Sequence, residues 1–197
     1  MAVNSAPAST SSNYNVLNLI MGYRKSLGVL AALNHGIFEY LDKNDGGKTA
    51  RQIAKDLILD EVATTVLLDS CTSVDLLVKE IPEEKMENAL YSNSEQTKQY
   101  LLKSSPDSLY GLAIIQARCS SKMMANFDHT VKDGKSQWQR TFGKSSEETF
   151  DQLYESKEKL IEFVQAMENR TRMCVNTVLG PFDLSCFSHL CDIGGKY

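Results

Sequence analysis

The final residues of this 197-residue chain are predicted to start a sheet for which we expect no further strands within these residues. An apolar run that includes Phe187 and Leu190 leads into residues 191–195, CDIGG, which predicts a strand opening into a glycine turn. In open α/β sheets such a turn holds a cofactor, because glycines lack the Cβ atoms that would keep a ligand away from backbone N–H groups. Parallel sheets need several strands joined by crossover helices, and none follow before Tyr197. We therefore expect an accessory domain separated from its catalytic domain.

The composition indicates an ordinary globular protein of modest size. The chain has 21 basic and 25 acidic residues and is 42% hydrophobic, enough for one good core and a fragment of a second domain. This mildly acidic balance gives no support for a general nucleic-acid binder. Residues 1–13 are small and polar and lack a signal-peptide pattern, so they are predicted to be a disordered leader. We expect a cytoplasmic protein without a membrane segment, because no run approaches the roughly 20 apolar residues of a span.

The cysteines and histidines do not form a recognisable metal site. The chain has five cysteines, an odd number, and none of them forms a C-x-x-C pair, so buried free thiols are the expected state. His35, His129 and His189 are isolated from one another and from carboxylates at ligand spacing. We therefore predict neither a metal site nor a catalytic histidine within these residues.

The segment from Tyr14 to Leu33 predicts a helix that is apolar on several faces. One apolar stripe steps by four, three, four and three residues, and a second row of side chains is also uncharged. The stripe consists of Val16, Ile20, Tyr23, Leu27 and Leu30. Such a helix has to be covered on several sides, which an N-terminal helix cannot easily achieve within a small domain. We therefore predict that a second copy of the chain covers it, in a homodimer.

Two short helices and a β-hairpin after this segment predict a winged helix-turn-helix. Thr49 is placed to cap the first helix, and Asp60 is placed to cap the second. Residues 76–81 and 89–91 then have the pattern of two paired strands, with Pro82 marking the tip between them.

The charge of the second of these helices argues against DNA binding. In winged helices that read DNA, this helix enters the major groove and needs lysine or arginine to meet phosphates and bases. Here residues 60–75 contain Asp60, Glu61, Asp69 and Asp75 and no basic residue. We expect the motif to serve packing and dimerisation, with no nucleic-acid partner.

The second half of the chain is predicted to be helical. Residues 105–107, Ser-Pro-Asp, have the pattern of a helix start, and apolar positions continue to about Val131. Ser146 starts a further helix, and a long helix after it ends at Gly180-Pro181. This helical segment leads into the terminal strand.

A series of short segments in a fixed order carries a family resemblance. It begins with residues 30–41, LAALNHGIFEYL, and residues 49–54, TARQIA. The later segments are residues 91–95 (YSNSE), 100–101 (YL), 105–108 (SPDS), 141–143 (TFG), 163–167 (FVQAM), 182–185 (FDLS) and 191–195 (CDIGG). Over about residues 14–195 the chain resembles the small-molecule O-methyltransferases that use S-adenosylmethionine, beginning with their dimerisation domain. Within that family it is most similar to members that methylate hydroxyindoles.

The resemblance implies a cofactor site at the end of the chain. In that family the glycine loop after the first strand of a Rossmann-like domain binds S-adenosylmethionine, and a distant histidine is the general base. Asp192, Gly194 and Gly195 match the start of that loop, and Tyr154 is implied to lie near the cofactor. No residue of this chain matches the base, so no catalytic residue is assigned.

The same resemblance implies an apolar wall against the acceptor ring. Phe163 and Met167 occupy the matching positions, and their spacing of four residues places them on one face of a helix. Core packing is the alternative interpretation for both, because phenylalanine and methionine at this interval commonly belong to a core.

Three departures from the family pattern affect these expectations. Asp75 stands where many relatives have glycine before the first wing strand, and we expect the turn to persist because aspartate tolerates left-handed geometry better than most residues. Thr171 stands where the family tends to have a tryptophan on the cofactor side. Lys196 and Tyr197 replace small residues of the glycine loop.

Together these observations predict a mainly α chain in four parts. They are a leader at residues 1–13, a winged-helix-like dimerisation domain at 14–104, a helical substrate-wall segment at 105–181 and the truncated start of a methyltransferase domain, with only its first strand, at 182–197. The predicted function is the N-terminal portion of an O-methyltransferase, inactive by itself and homodimeric. The alternative is a non-catalytic subunit that forms a heterodimer with a full-length methyltransferase and modulates its activity.

Overall fold

The computed structural model describes residues 10–82, 88–189 and 191. These residues are mainly helical and include a small antiparallel sheet, so the predicted fold class is confirmed. In chain order the elements are α1 Thr10–Met21, α2 Tyr23–Asn34, α3 Ile37–Asp42, β1 Lys48–Thr49, α4 Ala50–Leu57, α5 Glu61–Thr72, β2 Leu77–Glu80, β3 Leu90–Asn93, α6 Glu95–Tyr100, α7 Tyr110–Ile115, α8 Ser121–Met124, α9 Phe127–Asp133, α10 Trp138–Phe142, α11 Ser146–Glu155 and α12 Lys157–Leu179.

Two helices, α1 and α2, replace the single N-terminal helix predicted from the sequence. The interruption lies at Gly22, and glycine is a poor helix former because it loses the most backbone freedom on folding. Residues 10–13, predicted as part of a disordered leader, belong to α1. Residues 1–9 of that predicted leader lie outside the described residues.

One stretch of the described residues, Asn15–Asn34, is long and apolar enough to cross a membrane by length and composition, with a mean hydropathy of 1.3. This corrects the expectation that no run approaches such a length. The stretch reaches the threshold because Arg24 and Lys25 are its only charged residues. A single stretch of this kind is weak evidence for a membrane span, since a signal sequence or the core helix of a globular protein passes the same test.

Helices α4 and α5 begin at the caps that the sequence predicts. The Thr49 hydroxyl accepts a hydrogen bond of 3.2 Å from the backbone N–H of Gln52, and the Gln52 side chain accepts one of 2.9 Å from the backbone N–H of Thr49. Asp60 Oδ1 accepts a bond of 2.8 Å from the backbone N–H of Ala63. Each cap satisfies an amide group that the first turn of a helix leaves unpaired. Both predicted caps are confirmed.

The sheet has the strand order β1–β3–β2, with antiparallel pairing throughout. Strand β3 is therefore central, and its Tyr91 is paired with Lys48 of β1 and Lys79 of β2. The two strands of the predicted hairpin are present, whereas β1 was not predicted. Asp75 precedes β2 with a φ of 61°, so the expected left-handed turn at this aspartate is confirmed. The wing residues 83–87 lie outside the described residues.

A polar cluster joins the wing to α5. Tyr91 Oη and Lys79 Nζ both donate hydrogen bonds to Asp69 Oδ1, at 2.7 and 2.6 Å. Partial burial acts to raise the pKa of Asp69, but the hydrogen bonds from Lys79 and Tyr91 and the charge of Lys79 outweigh it, so the pKa is lowered. Burial, with the hydrogen bond to Asp69, raises the pKa of Tyr91. The cluster therefore stabilises an ionised Asp69 beside a neutral tyrosine.

The main core lies between α2, α3, α4, α5 and the sheet. Its largest fully buried side chains are Ile37, Phe38, Ile53, Thr97, Leu68, Cys71 and Tyr91. Burial of the Cys71 thiol among apolar neighbours raises its pKa to about 11, because the thiolate is poorly solvated there. This core holds the winged helix together as one unit.

The helix predicted from residue 105 to about residue 131 is interrupted twice. Helix α7 begins at Tyr110 and passes through a π-helical turn at Gln116–Ser120 into α8, and α9 follows after a break at residues 125–126. The periodicity of apolar residues continues across both interruptions, which is why the sequence predicts one helix. Helix α12 ends at Gly180, as predicted.

The terminal strand predicted for residues 187–193 is not formed at the positions that the structure describes. Residues 187–189 and 191 are irregular. A strand without a neighbour has no partner for its backbone hydrogen bonds, so an apolar segment alone does not become a strand.

Candidate functional site

A broad cleft of about 1070 Å³ opens between α7, α10, α11 and α12. The larger part of its surface is apolar, although polar residues also line it, and its aromatic and aliphatic residues include Tyr110, Ile114, Trp138, Phe150 and Phe163. Concave, mostly apolar sites with a few polar groups are where small molecules commonly bind. The cleft is therefore the candidate binding site in the part of the chain that the structure describes.

The two main walls, α7 and α12, approach closely at Gly111 and Ala166. A Cβ atom on Gly111 would lie 3.0 Å from the Cβ of Ala166, closer than ordinary van der Waals contact. Nearby, Asn169 Nδ2 of α12 donates a hydrogen bond of 2.7 Å to the carbonyl oxygen of Ser108. Because Gly111 has no side chain, the two walls can approach closely at this point, and the bond from Asn169 joins them there.

Phe163, predicted as part of an acceptor wall, lines the cleft. Its ring meets that of Phe150 edge to face, with centroids 6.3 Å apart and planes at 82°. Trp138 lies elsewhere on the lining, with its ring centroid 4.9 Å from that of Phe142 and its indole N–H donating to Thr149 Oγ1 at 3.0 Å. Aromatic rings prefer edge-to-face or offset-stacked contacts with one another, so the rings that line the cleft provide surfaces of the kind that an aromatic ligand can contact. The cleft can accordingly accept a flat aromatic ligand.

The other predicted site residues are not gathered in the cleft. Met167 is half-buried on α12 but is not part of the lining, and Tyr154 is 62% exposed on α11, one turn beyond Phe150. Three predicted cofactor residues lie outside the described residues: Asp192, Gly194 and Gly195. The roles of all five stay predictions. Among the residues that are described, no three histidine, cysteine, aspartate or glutamate side chains are grouped closely enough to hold a metal ion.

Sequence reasoning did not identify Tyr110, Trp138 or Phe150 as site residues. One signal was available for Trp138, because it is the single tryptophan of the chain and tryptophan is enriched at interfaces, where its large ring is apolar and its N–H can donate a hydrogen bond. Phe150 lies four residues before Tyr154, so helical spacing places both on one face of α11. Tyr110 gave no signal beyond its place at the start of a helix.

The polar part of the lining is mostly basic, with four cations against two carboxylates. The cations are Lys103, Arg118, Lys159 and Arg172, and the carboxylates are Glu162 and Glu168. Arg172 is paired with Glu168 at 2.7 Å. Neither Arg118 nor Lys159 has a side-chain hydrogen bond or ion pair within the described ranges. The cleft therefore has an excess of uncompensated positive charge.

Two protein-family models match this chain. The O-methyltransferase dimerisation domain matches residues 17–103, which contain α2, the winged helix and its core. The O-methyltransferase domain matches residues 124–197, which contain α10, α11 and α12 of the cleft.

Curated relatives agree with these matches. Acetylserotonin O-methyltransferase from Macaca mulatta is 32% identical over 189 residues, which cover 95% of this chain and 54% of that protein. The Bos taurus protein of the same name is 30% identical over 174 residues, covering 88% of this chain and 50% of that protein. The chain thus spans about half the length of the curated relatives it matches.

Solved structures show the same likeness. Human N-acetylserotonin methyltransferase in complex with S-adenosylmethionine is 29% identical, with a TM-score of 0.74 over 91% of this chain and 52% of that one. PigF with S-adenosylhomocysteine is 20% identical, with a TM-score of 0.68 over 87% of this chain and 48% of that one. At this identity the likeness supports the fold alone. The chain therefore belongs to the O-methyltransferase family, and it contains that family's dimerisation domain and part of its methyltransferase domain.

Proposed function

We propose that this chain supplies the dimerisation domain and the acceptor wall of an enzyme that transfers a methyl group from S-adenosylmethionine to the hydroxyl of a small hydroxyindole. N-acetylserotonin is the proposed acceptor and melatonin the product, since the relatives named acetylserotonin O-methyltransferase are 30% and 32% identical. The observation that carries the proposal is the aromatic cleft, in which Phe163 meets Phe150 at 6.3 Å within residues that match the O-methyltransferase domain.

In this proposal the chain's own residues bind and orient the acceptor. The rings of Phe150, Phe163 and Trp138 exclude water from the indole and fix the position of its hydroxyl, which lowers the entropic cost of an in-line attack. S-adenosylmethionine supplies the reactive methyl group when it is bound. Tyr154 fits a place beside it, because its exposed ring lies one helical turn from Phe150.

The remaining cofactor contacts and the general base belong to the rest of the proposed site. Asp192, Gly194 and Gly195 are proposed to form one side of the cofactor loop. Transfer to a hydroxyl of high pKa needs a base that takes the proton, and we place that base outside these 197 residues, which span about half of the relatives' length. By this proposal, a polypeptide of these residues does not catalyse the reaction alone. The cytoplasmic location and the domain boundaries stay part of the proposal.

The test uses the chain alone and a chimera that joins it to the second half of the human relative. With radiolabelled S-adenosylmethionine and N-acetylserotonin, we expect transfer by the chimera and none above buffer by the chain. Phe163→Ala in the chimera is expected to lower kcat/KM about tenfold, the loss typical of one well-placed aromatic contact. Phe182→Ala, at an exposed ring outside the cleft, is the matched control. Transfer by the chain alone, or equal effects of the two variants, would contradict the proposal.

A second proposal is a non-catalytic subunit that pairs with a full-length methyltransferase and modulates it. The observation that favours it is the apolar surface of α1 and α2, where Leu19, Ile20 and Tyr23 are 79%, 63% and 58% exposed. A chain that pairs through this surface is expected to co-purify with a tagged full-length relative and to lower its activity per subunit. Unchanged activity on co-expression would favour the first proposal alone.

A further inference from the structure

We infer that the cleft also binds aromatic ligands that carry an anionic group, such as a hydroxyindole with a carboxylate on its side chain, and binds them more tightly than neutral ligands with the same ring. The inference rests on the proposed role of the cleft as the acceptor wall, and it names a class of ligand that competes with the proposed acceptor for this wall. Its starting point is a contrast in charge. The whole chain has a formal net charge of −4, whereas the cleft is lined by four cations and two carboxylates.

The contacts among these groups leave the positive charge available to a ligand. Glu168 is already paired with Arg172 at 2.7 Å. The Lys103 ammonium lies 4.6 Å from the centre of the Tyr110 ring, a contact that leaves its charge uncompensated. Of the two carboxylates, only Glu162 then remains to oppose Lys103, Arg118 and Lys159.

The backbone that presents Arg118 is unusual. Arg118 belongs to the π-helical turn at Gln116–Ser120, and the next two residues of that turn, Cys119 and Ser120, also line the cleft. A π-helical turn widens the helix and rotates the residues that follow it, and such turns occur frequently at functional sites. Here the distortion sits where α7 ends at the cleft, so it places an unpartnered arginine on the wall of the aromatic site.

Arginine suits this task better than lysine. Its planar guanidinium always carries its charge, and it can bind a carboxylate through two parallel hydrogen bonds. The aromatic rings of Trp138, Phe150 and Phe163 provide the surface against which the ring of the ligand lies. A ligand with a flat ring and a carboxylate uses both features, a neutral amide uses the rings, and an ammonium group is repelled.

The test compares three probes that share one ring and differ in charge: 5-hydroxyindole-3-acetate, N-acetylserotonin and serotonin. Because the chain has a single tryptophan, which lines the cleft, a ¹⁵N-labelled sample gives one indole N–H resonance that reports binding. We expect the tightest binding for the carboxylate, weaker binding for the amide and the weakest for the amine. At 1 M salt the difference between carboxylate and amide is expected to disappear, because screening shortens the reach of exposed charges to about 3 Å.

Charge-removing variants assign the preference to the cleft. Arg118→Gln and Lys159→Gln are each expected to weaken the carboxylate about threefold to fivefold, the size typical of an exposed ion pair, and to leave the amide unchanged. Lys122→Gln, on the exposed surface of α8 outside the lining, is expected to change neither.

The possible contrary results separate the inference from the proposed function. Equal affinities for the carboxylate and the amide, or an equal loss of both in Arg118→Gln, would overturn the inference while the acceptor wall stands. A folded sample whose tryptophan resonance responds to none of the three probes would overturn the acceptor wall and the inference together.

Discussion

Asn169 Nδ2 lies 2.7 Å from the carbonyl oxygen of Ser108 and donates a hydrogen bond to it across 61 positions of the sequence. The bond ties the middle of α12 to the residues that precede α7, next to the close approach of Gly111 and Ala166. The width of the cleft therefore depends on two contacts near one crossing point. Both contacts join residues that are far apart in the chain.

Removing the Asn169 amide is expected to weaken the contact between α12 and the residues that precede α7. In Asn169→Ala the Ser108 carbonyl loses its partner, and the free energy of unfolding is expected to fall by about 1 kcal/mol, the usual net value of such a bond. Asn176→Ala is the matched control, because Asn176 is exposed on the same helix and its side chain forms no hydrogen bond with the described residues. Urea unfolding followed by circular dichroism measures both, and equal midpoints would show that the bond does not stabilise the crossing.

The sequence predicts those parts of the fold that depend only on residues close to one another in the chain. The caps at Thr49 and Asp60 depend on an amide three residues away, and the turn at Asp75 depends on that residue's own tolerance for positive φ. Strand β1 escaped prediction because two residues carry no periodicity, and it exists through its pairing with β3. The π-helical turn likewise leaves the apolar spacing of its helix almost unchanged.

The cleft shows the same limit for the candidate site. Helical spacing places Phe163 on an apolar face of α12, but it does not say that Phe150 and Trp138 will line the same cleft from other helices. That neighbourhood arises from contacts between helices, in which Phe150 of α11 meets Phe163 of α12 and Trp138 of α10 is hydrogen-bonded to Thr149 of α11. Sequence alone therefore predicts a wall residue but not the cavity that the wall encloses.

The polar cluster at the wing predicts a loss of stability in acid. Because the pKa of Asp69 is lowered in the folded chain, the carboxylate contributes stability that is present above the unfolded value of 3.8 and is lost as the pH falls through the lower folded value. Asp69→Asn is expected to be less stable than the parent at pH 7, with a difference that shrinks as the pH falls below about 4. Urea midpoints between pH 2.5 and 7 measure this difference.

The control for this acid effect is Asp151→Asn, at an exposed aspartate in α11 with no side-chain partner in the described part of the chain. Its midpoint relative to the parent is expected to stay constant over the same pH range. A constant difference for Asp69→Asn as well would show that its carboxylate is not stabilised by Lys79 and Tyr91.

The buried thiol predicts selective labelling. Cys71 is 1% exposed and its pKa is raised to about 11, whereas Cys174, Cys186 and Cys191 are exposed. A thiol-specific reagent at pH 8 is expected to modify the exposed cysteines within minutes and Cys71 only after unfolding in urea, since the thiolate is the reactive form. Peptide mass spectrometry identifies the modified positions, and early modification of Cys71 would mean that the core opens readily.

The same thiol predicts an alkaline limit to stability. A pKa raised from 9.0 to about 11 on folding means that the contribution of the neutral thiol is complete below pH 9 and is lost as the pH rises through about 11. Cys71→Ala removes this titration, and the parent is expected to lose more stability than the variant between pH 9 and 11. Parallel unfolding curves for the two proteins across that range would contradict the assignment.

The apolar surface of α1 and α2 predicts how the chain associates. We expect light scattering at micromolar concentration to give the mass of a dimer, about twice 22.0 kDa. In a monomer the apolar side chains of Leu19, Ile20 and Tyr23 would be exposed to water, which is unfavourable. The family model that matches this part of the chain is also that of a dimerisation domain. Ile20→Glu places a charge in this apolar surface, which is the expected dimer interface, and is expected to give a monomer. Val131→Glu changes an apolar side chain of similar exposure on α9 and is expected to leave the mass unchanged. If the parent is a monomer, or if both variants convert the dimer to a monomer, then α1 and α2 do not form the dimer interface.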